Sequence, residues 1–185
     1  MSRWRQVVFA LVCLVQVAVP ASLIVKHEQT RSQGTLWKFQ TAPVDPGDPF
    51  RGRYVQLGFA ADRVPVPLAD PKDWLRHEQR AYAELATGPD GYARLVRLRG
   101  RRPSGVDYVD VFVLHSPEQP AEAPPSMIVR VPFDRYYLPE ARAPQVEREY
   151  AEASRKAQAN TWAEVRVRDG HAVLVNLVLD GKPVL

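Results

Sequence analysis

Hydrophobic and polar positions along this chain follow patterns that change from the amino terminus to the body. Residues 7–25 form one run of nineteen positions without a charged side chain. As an α-helix rising about 1.5 Å per residue, this run is about 28 Å long, which matches the hydrocarbon thickness of a bilayer. A domain of this size seldom buries such a helix on all sides. The run therefore predicts a membrane-spanning helix.

The apolar run has two interpretations. In the first, Arg3 and Arg5 are the positive end of a signal peptide that is cleaved near Val19-Pro20-Ala21. In the second, the segment stays as an anchor, because apolar positions resume after the proline and end only at Lys26. A proline near one end of a membrane helix is tolerated where water satisfies the freed carbonyls. We favour the anchor.

The charges that flank the run predict its orientation. Basic residues crowd the first five positions, whereas the other flank mixes basic and acidic residues. The positive-inside bias places the amino terminus in the cytoplasm and the body outside it, whether or not the segment is cleaved. We therefore divide the chain into a cytoplasmic terminus with a transmembrane anchor, residues 1–26, and an extracytoplasmic domain, residues 27–185.

The body alternates apolar and polar positions over short stretches that end in Gly, Pro or Asp, and this pattern predicts strands and turns. Its two clearest hairpins turn at Gly88-Pro89-Asp90-Gly91 and at Asp169-Gly170. Further strands are predicted at 35–39, 54–59, 106–114 and 127–133. The total is seven or eight short strands, as expected for a mainly antiparallel barrel or sandwich.

Helical spacing in the body is strong only near residues 140–160. There Val146, Tyr150, Ala153 and Ala157 recur at i, i+4, i+7 and i+11, with charged residues on the opposite face. The predicted fold class is therefore α+β, mainly antiparallel β with one amphipathic helix, preceded by the transmembrane helix.

Charge and cysteine content narrow the functional classes. The net charge of +4 includes three basic residues within 1–26, so the body is nearly neutral. A near-neutral body argues against nucleic acid as a partner. The only cysteine, Cys13, lies in the apolar run, and the histidines are scattered, which argues against a disulfide and a structural zinc site. We expect no metal and no cofactor.

Candidate chemistry in the body is sparse. Five arginines between positions 94 and 102 are interpreted as the solvated face of a strand and its turn. Asp45 and Asp48 fail the calcium-loop pattern because Pro46 and Gly47 stand between them, so a role in ordering the loop is favoured. No nucleophile motif is present and the histidines form no i, i+4 pair. We therefore expect no enzymatic activity.

The segment 44–59, which reads VDPGDPFRGRYVQLGF, resembles the signature of a bacterial family of membrane-anchored proteins named after its GDYXXLXY motif. In this chain Arg53 stands where the family has Asp, and Phe59 stands where it has its final Tyr. The first change puts in doubt any role of that carboxylate, and the second removes only a hydroxyl. The matching positions are Asp45, Pro46, Asp48, Arg51, Gly52, Tyr54 and Leu57.

The resemblance continues through the chain. Residues 133–140, FDRYYLPE, resemble the family's R-Y-F-x-P-E segment, and residues 179–183, LDGKP, are similar too. The resemblance implies an uncleaved anchor and no assigned enzymatic activity. Because members are often encoded beside multi-spanning membrane proteins, it also implies a membrane partner. The expected location is the bacterial inner membrane, in a single pass through residues 7–25, with 27–185 periplasmic or otherwise extracytoplasmic.

Three functional hypotheses follow. The leading one is a non-catalytic accessory or binding module for a membrane partner. The alternative is a cell-envelope hydrolase in which Asp45 or Asp48 converges with Tyr136 or Tyr137 in a cleft. A secreted nucleic-acid binder is disfavoured by the near-neutral body. On the leading hypothesis, Arg51 pairs with one of the acids and the binding corner consists of Asp45, Asp48, Arg51, Gly52, Tyr54 and Leu57.

Overall fold

The computed structural model describes residues 3–44, 54–70, 75–115, 126–156 and 160–184. Its first element is a long helix, α1 (Arg3–Gln33), which contains the whole apolar run. Within the described residues, α1 alone is long and apolar enough to cross a bilayer, and the residues of its apolar window are not buried by the rest of the protein. The predicted membrane helix is therefore present as a helix that the body leaves uncovered.

The described part of the body contains twelve strands, and seven of them are five residues or longer. The longer strands are β1 (Thr35–Ala42), β5 (Arg80–Thr87), β6 (Ala93–Arg99), β7 (Tyr108–His115), β8 (Ser126–Arg130), β10 (Trp162–Arg168) and β11 (His171–Leu179). The short ones are β2 (Tyr54–Gln56), β3 (Gly58–Phe59), β4 (Val66–Pro67), β9 (Arg135–Tyr137) and β12 (Lys182–Pro183). A 3-10 helix (Ala60–Arg63) follows β3, and the second α-helix, α2 (Ala143–Ser154), follows β9.

The strands form two five-stranded sheets and one ribbon. One sheet has the order β12-β11-β10-β1-β3, the other has the order β4-β8-β7-β5-β6, and β2 pairs with β9. All paired strands are antiparallel. In the second sheet, Leu68 bridges Leu98 and the Ala69 N–H donates to the Leu98 carbonyl at 2.8 Å. This contact brings β4 back beside β6, so the second sheet is nearly closed.

These features confirm the predicted α+β class, with its mainly antiparallel, barrel-like sheet and one amphipathic helix. Both predicted hairpins are present, as β5–β6 and β10–β11. Gly91 and Gly170 have φ near +80°, a backbone conformation that glycine adopts without the steric cost of a Cβ atom. On α2, the side chains of Val146, Tyr150 and Ala153 are buried, as their spacing predicts, and Ala157 lies outside the described residues.

The predicted strand 54–59 is divided at Leu57. The Leu57 N–H donates to the Asp134 carbonyl at 2.8 Å, between β2, which pairs with β9, and β3, which pairs with β1. The chain thus passes from the ribbon to the first sheet at this residue. The alternation of side chains predicts extended backbone here, but it carries no information about the change of partner strand.

An aromatic cluster occupies the core at this point. Phe39 and Phe133 have ring centroids 4.9 Å apart, and Phe59 lies 5.2 Å from Phe133, with the rings edge to face. Edge-to-face packing is a favoured arrangement of aromatic rings. The cluster ties β1 and β3 to the segment before β9, and so fixes the position of the residues discussed next.

Candidate functional site

The corner predicted from the motif is described in part. Tyr54 and Leu57 lie in the structure, whereas Asp45, Asp48, Arg51 and Gly52 are outside the described residues. The two described residues have different environments: Tyr54 is half-buried, and Leu57 is 2% exposed. The described part of the motif therefore contributes one residue to a surface and one to the core.

Tyr54 belongs to an exposed cluster, here called the aromatic patch, which consists of Tyr54, Arg135 and Tyr137. Tyr54 is directly opposite Tyr137 in the ribbon, with ring centroids 5.8 Å apart. The Arg135 guanidinium lies 5.2 Å from the centroid of the Tyr54 ring, in cation–π geometry. Its hydrogen bond to the Tyr137 hydroxyl raises the pKa of Arg135. Tyr137 is 68% exposed, so the patch faces solvent.

The other side of the corner is braced by Tyr150 from α2. The Tyr150 hydroxyl donates to the Ala42 carbonyl at 2.7 Å and accepts from the Gly58 N–H at 3.0 Å. Burial raises the pKa of this hydroxyl. A Cβ atom at Gly58 would lie 2.8 Å from the side chain of Val44, so the backbone approach at this position favours glycine. The second half of the motif therefore has a structural role.

The departure at Phe59 from the family's tyrosine is compatible with this environment. Phe59 is buried and packs on Phe39 and Phe133. Because a phenyl ring has no hydroxyl group, it can be buried at this position without a hydrogen-bond partner. The other departure, Arg53, lies outside the described residues.

A cleft of about 340 Å³ lies beside the corner and contains a carboxylate that the sequence did not single out. Asp62 accepts a hydrogen bond from the Val131 N–H at 3.0 Å. Burial raises the pKa of Asp62 to about 6, against the opposing charges of Arg130 and Arg63, while the neighbouring carboxylate of Asp134 raises it further. Asp62 can therefore hold a proton close to neutral pH.

Sequence reasoning missed Asp62 because it belongs to no motif. Asp62 is distinguished only by its position in the sequence. It is the one acid in residues 54–68, a mostly apolar stretch that contains prolines, and Arg63 follows it directly. The burial of Asp62 cannot be predicted from this stretch, because it depends on Val131 and Asp134, which are distant in the sequence.

The two tyrosines of the hydrolase hypothesis point in different directions. Tyr136 and Tyr137 are neighbours on β9, so their side chains leave opposite faces of the strand. The Tyr136 hydroxyl donates to the Val184 carbonyl at 3.1 Å, and burial raises its pKa, whereas Tyr137 belongs to the aromatic patch. Asp45 and Asp48 lie outside the described residues.

The arginine-rich strand has partners of its own. Arg97 and Arg99 share one face of β6, as predicted, and both form ion pairs with the buried Glu84 of β5. Arg94 pairs with Asp90 at 3.0 Å, and this contact lowers the pKa of Asp90. Across the described ranges, His, Cys, Asp and Glu form no group of three or more that could hold a metal ion.

Comparison with known proteins gives one result. No curated protein and no solved structure matches the chain. A sequence model of the GDYXXLXY protein family matches residues 16–177, which covers most of the chain and includes part of α1, the motif corner, the cleft, the β5–β6 hairpin and most of the β10–β11 hairpin. The chain therefore belongs to the GDYXXLXY protein family.

Proposed function

We propose that this protein is a single-pass membrane protein of the bacterial inner membrane that presents residues 27–185 outside the cytoplasm as a non-catalytic binding module. The apolar helix α1 supports membrane association. The basic residues before the apolar run, Arg3 and Arg5, support a cytoplasmic amino terminus. The partner in this proposal is a multi-spanning membrane protein.

The aromatic patch is the observation that carries the binding role. Tyr54, a motif residue, is placed on the surface together with Arg135 and Tyr137. Tyrosine and arginine are among the residues that most often dominate the energy of protein interfaces. The two rings and the guanidinium already contact one another, so little side-chain freedom is lost when a partner covers them.

The surroundings of the patch support the same role. The adjoining corner is held by Leu57 in the core and by the Tyr150 hydroxyl between two strands. A patch on a braced scaffold keeps its geometry between the free and bound states. The segment 45–53 leads directly into Tyr54, and we propose that its Asp45, Asp48 and Arg51 complete the binding surface.

Site-specific photocrosslinking tests the proposal. A photoreactive benzoylphenylalanine replaces Tyr137 in the full chain, and, as a matched control, Phe112, which is also aromatic and about half exposed but lies on β7. Crosslinks are formed in intact cells, and the products are identified by mass spectrometry. We expect one multi-spanning protein to be captured from position 137 and not from position 112.

Two results would overturn the proposal. Capture of the same proteins from positions 137 and 112 would show that the patch has no specific partner. A reporter enzyme that is active only outside the cytosol, fused after residue 185, would contradict the topology by remaining inactive. The two experiments separate failure of the binding role from failure of the membrane topology.

A further inference from the structure

The junction between α1 and the body determines how the body is oriented towards the membrane. The helix does not end with the apolar run at Val25 but continues to Gln33. Its last two turns pack on β10 and β11: Thr30 is buried, and the His27 ring lies 5.9 Å from the His171 ring. The anchor and the body are thus in direct contact.

Hydrogen bonds stabilise this junction between α1 and the body. The Arg166 guanidinium donates to the Gly34 carbonyl at 2.9 Å, and the Arg168 guanidinium donates to Gln33 Oε1 at 2.6 Å. The Gly34 N–H donates to the Thr30 carbonyl at 2.9 Å. Because the helix end is held by its own backbone and by two strand arginines, the body cannot rotate freely about a flexible linker.

The order of these contacts gives the direction of the sheet. His27 contacts His171, which pairs with Arg168 directly beside the turn of the β10–β11 hairpin, whereas Gly34, just after the helix, contacts Arg166, two residues further from the turn. His27 is two residues beyond Val25, or about 3 Å further along the helix axis. The hairpin turn therefore lies at the level of the lipid headgroups, and the sheet extends away from the bilayer.

The start of the β6–β7 loop lies at the same end of the body, because Arg99 at the end of β6 pairs with Tyr82. The Asp110 N–H of β7 donates to the Gly170 carbonyl of the hairpin turn at 2.9 Å. Tyr108 packs edge to face on Tyr82 at 5.8 Å, and the Arg102 guanidinium of the loop hydrogen-bonds the Tyr82 hydroxyl. A chain of contacts thus joins the hairpin turn to the loop.

The side chains at this end have the chemistry of a membrane interface. We define the membrane-proximal face as the exposed or half-exposed side chains around the hairpin turn and the start of the β6–β7 loop. Its acid is Asp169, which pairs with Arg168 at 3.7 Å, and the ion pair between Arg80 and Asp110 adds no net charge. Its basic and aromatic members are Lys26, Arg101, Arg102, Tyr108 and Arg168.

We propose that the membrane-proximal face lies on the bilayer and binds anionic phospholipid headgroups. Four basic side chains exceed one acidic side chain there, and Lys and Arg near a membrane surface are attracted to anionic lipids. Tyr108 belongs to the same face, and tyrosine is enriched at membrane interfaces. The inference rests on the proposed membrane anchor, because that anchor brings this face to the headgroups.

Fluorescence in lipid nanodiscs tests the inference with the full chain. In a Cys13→Ala background, an environment-sensitive fluorophore is attached at Asp169→Cys in the hairpin turn, and at Thr87→Cys as the control. Thr87 is exposed beside the β5–β6 turn, and Tyr92, just after that turn, packs on Trp162 at the distal end of β10. The discs contain either phosphatidylcholine alone or phosphatidylcholine with phosphatidylglycerol.

We expect the label at position 169 to emit at shorter wavelength, and to be quenched by headgroup nitroxides, in discs that contain phosphatidylglycerol. The label at position 87 should not respond. The double variant Arg101→Gln/Arg102→Gln should reduce the response at position 169. The matched double variant Arg148→Gln/Arg155→Gln removes two exposed charges from the region of α2, at the distal end, and should leave the response intact.

Two other outcomes would overturn the inference, and only one of them would also contradict the proposed membrane anchor. Equal spectra for the labels at positions 169 and 87 in every disc, with the protein still embedded, would show that the face is not on the bilayer. The proposed anchor would survive that result. Extraction of the unlabelled chain from membranes by alkaline carbonate would overturn the anchor and the inference together.

Discussion

The substitution Asp62→Asn should stabilise this protein at neutral pH. In the folded state the Asp62 carboxyl accepts a hydrogen bond from the Val131 N–H at 3.0 Å, in an environment that raises its pKa from 3.8 to about 6. The main cause is burial, which disfavours the charged form. Asparagine retains an oxygen that accepts the Val131 hydrogen bond, but it removes the charge.

The sign and size of the effect follow from proton linkage. A carboxyl whose folded-state pKa lies above its unfolded value stabilises the fold when protonated, so its contribution is complete below pH 3.8 and is lost as the pH rises through about 6. A difference of roughly two pH units corresponds to at most about 3 kcal/mol of unfolding free energy at pH 7 and above. Near pH 4.5 the same relation gives about 1 kcal/mol.

Unfolding of the full chain in detergent micelles, followed by denaturant titration at several pH values, measures this difference. The stability gained by Asp62→Asn should grow between pH 4.5 and pH 7.5. Asp134→Asn serves as the control, because it removes a neighbouring carboxylate whose side chain is 31% exposed, and it should have a smaller effect. A gain that does not depend on pH, or a loss of stability at pH 7.5, would refute the argument from burial.

Two further substitutions test the scaffold. Tyr150→Phe leaves the Ala42 carbonyl and the Gly58 N–H without their hydroxyl partner, and should lower the unfolding free energy by about 1–3 kcal/mol in a denaturant titration; an unchanged midpoint would contradict the bracing role. Gly34→Ala would place a Cβ atom 2.5 Å from the Thr30 carbonyl oxygen and should destabilise the junction by about 1–3 kcal/mol. Hydrogen exchange at the last two turns of α1 should then accelerate, and unchanged protection there would show that the junction accommodates the added methyl group.

Local sequence patterns predicted most of the helices and longer strands, because each of these elements is specified by residues that are close together in the chain. The apolar run of α1 needs only its own length and lack of charge. The two hairpins needed only alternation around a turn containing glycine, and α2 needed only the i, i+4, i+7 spacing of Val146, Tyr150 and Ala153. In each case the side chains that carry the signal lie within about 20 residues of one another.

The candidate site was harder to predict from the sequence, because its contacts join residues that are far apart in the chain. Tyr54 and Leu57 stand three positions apart in one motif, yet the ribbon with β9 exposes the first and the aromatic core buries the second. The motif itself carried no sign that Tyr150, 108 residues beyond Ala42, would brace the corner.

The sequence by itself determined the apolar segment long enough for a bilayer, the amphipathic helix and most of the longer strands, because propensity and periodicity act over neighbouring residues. The tertiary structure alone decided that Asp62 is buried and that Arg135 lies over Tyr54. It also decided that α1 continues beyond the apolar run and packs on β10 and β11. Those outcomes depend on which strands pair and how the sheets close, and pairing between distant segments is set by the packing of the whole chain.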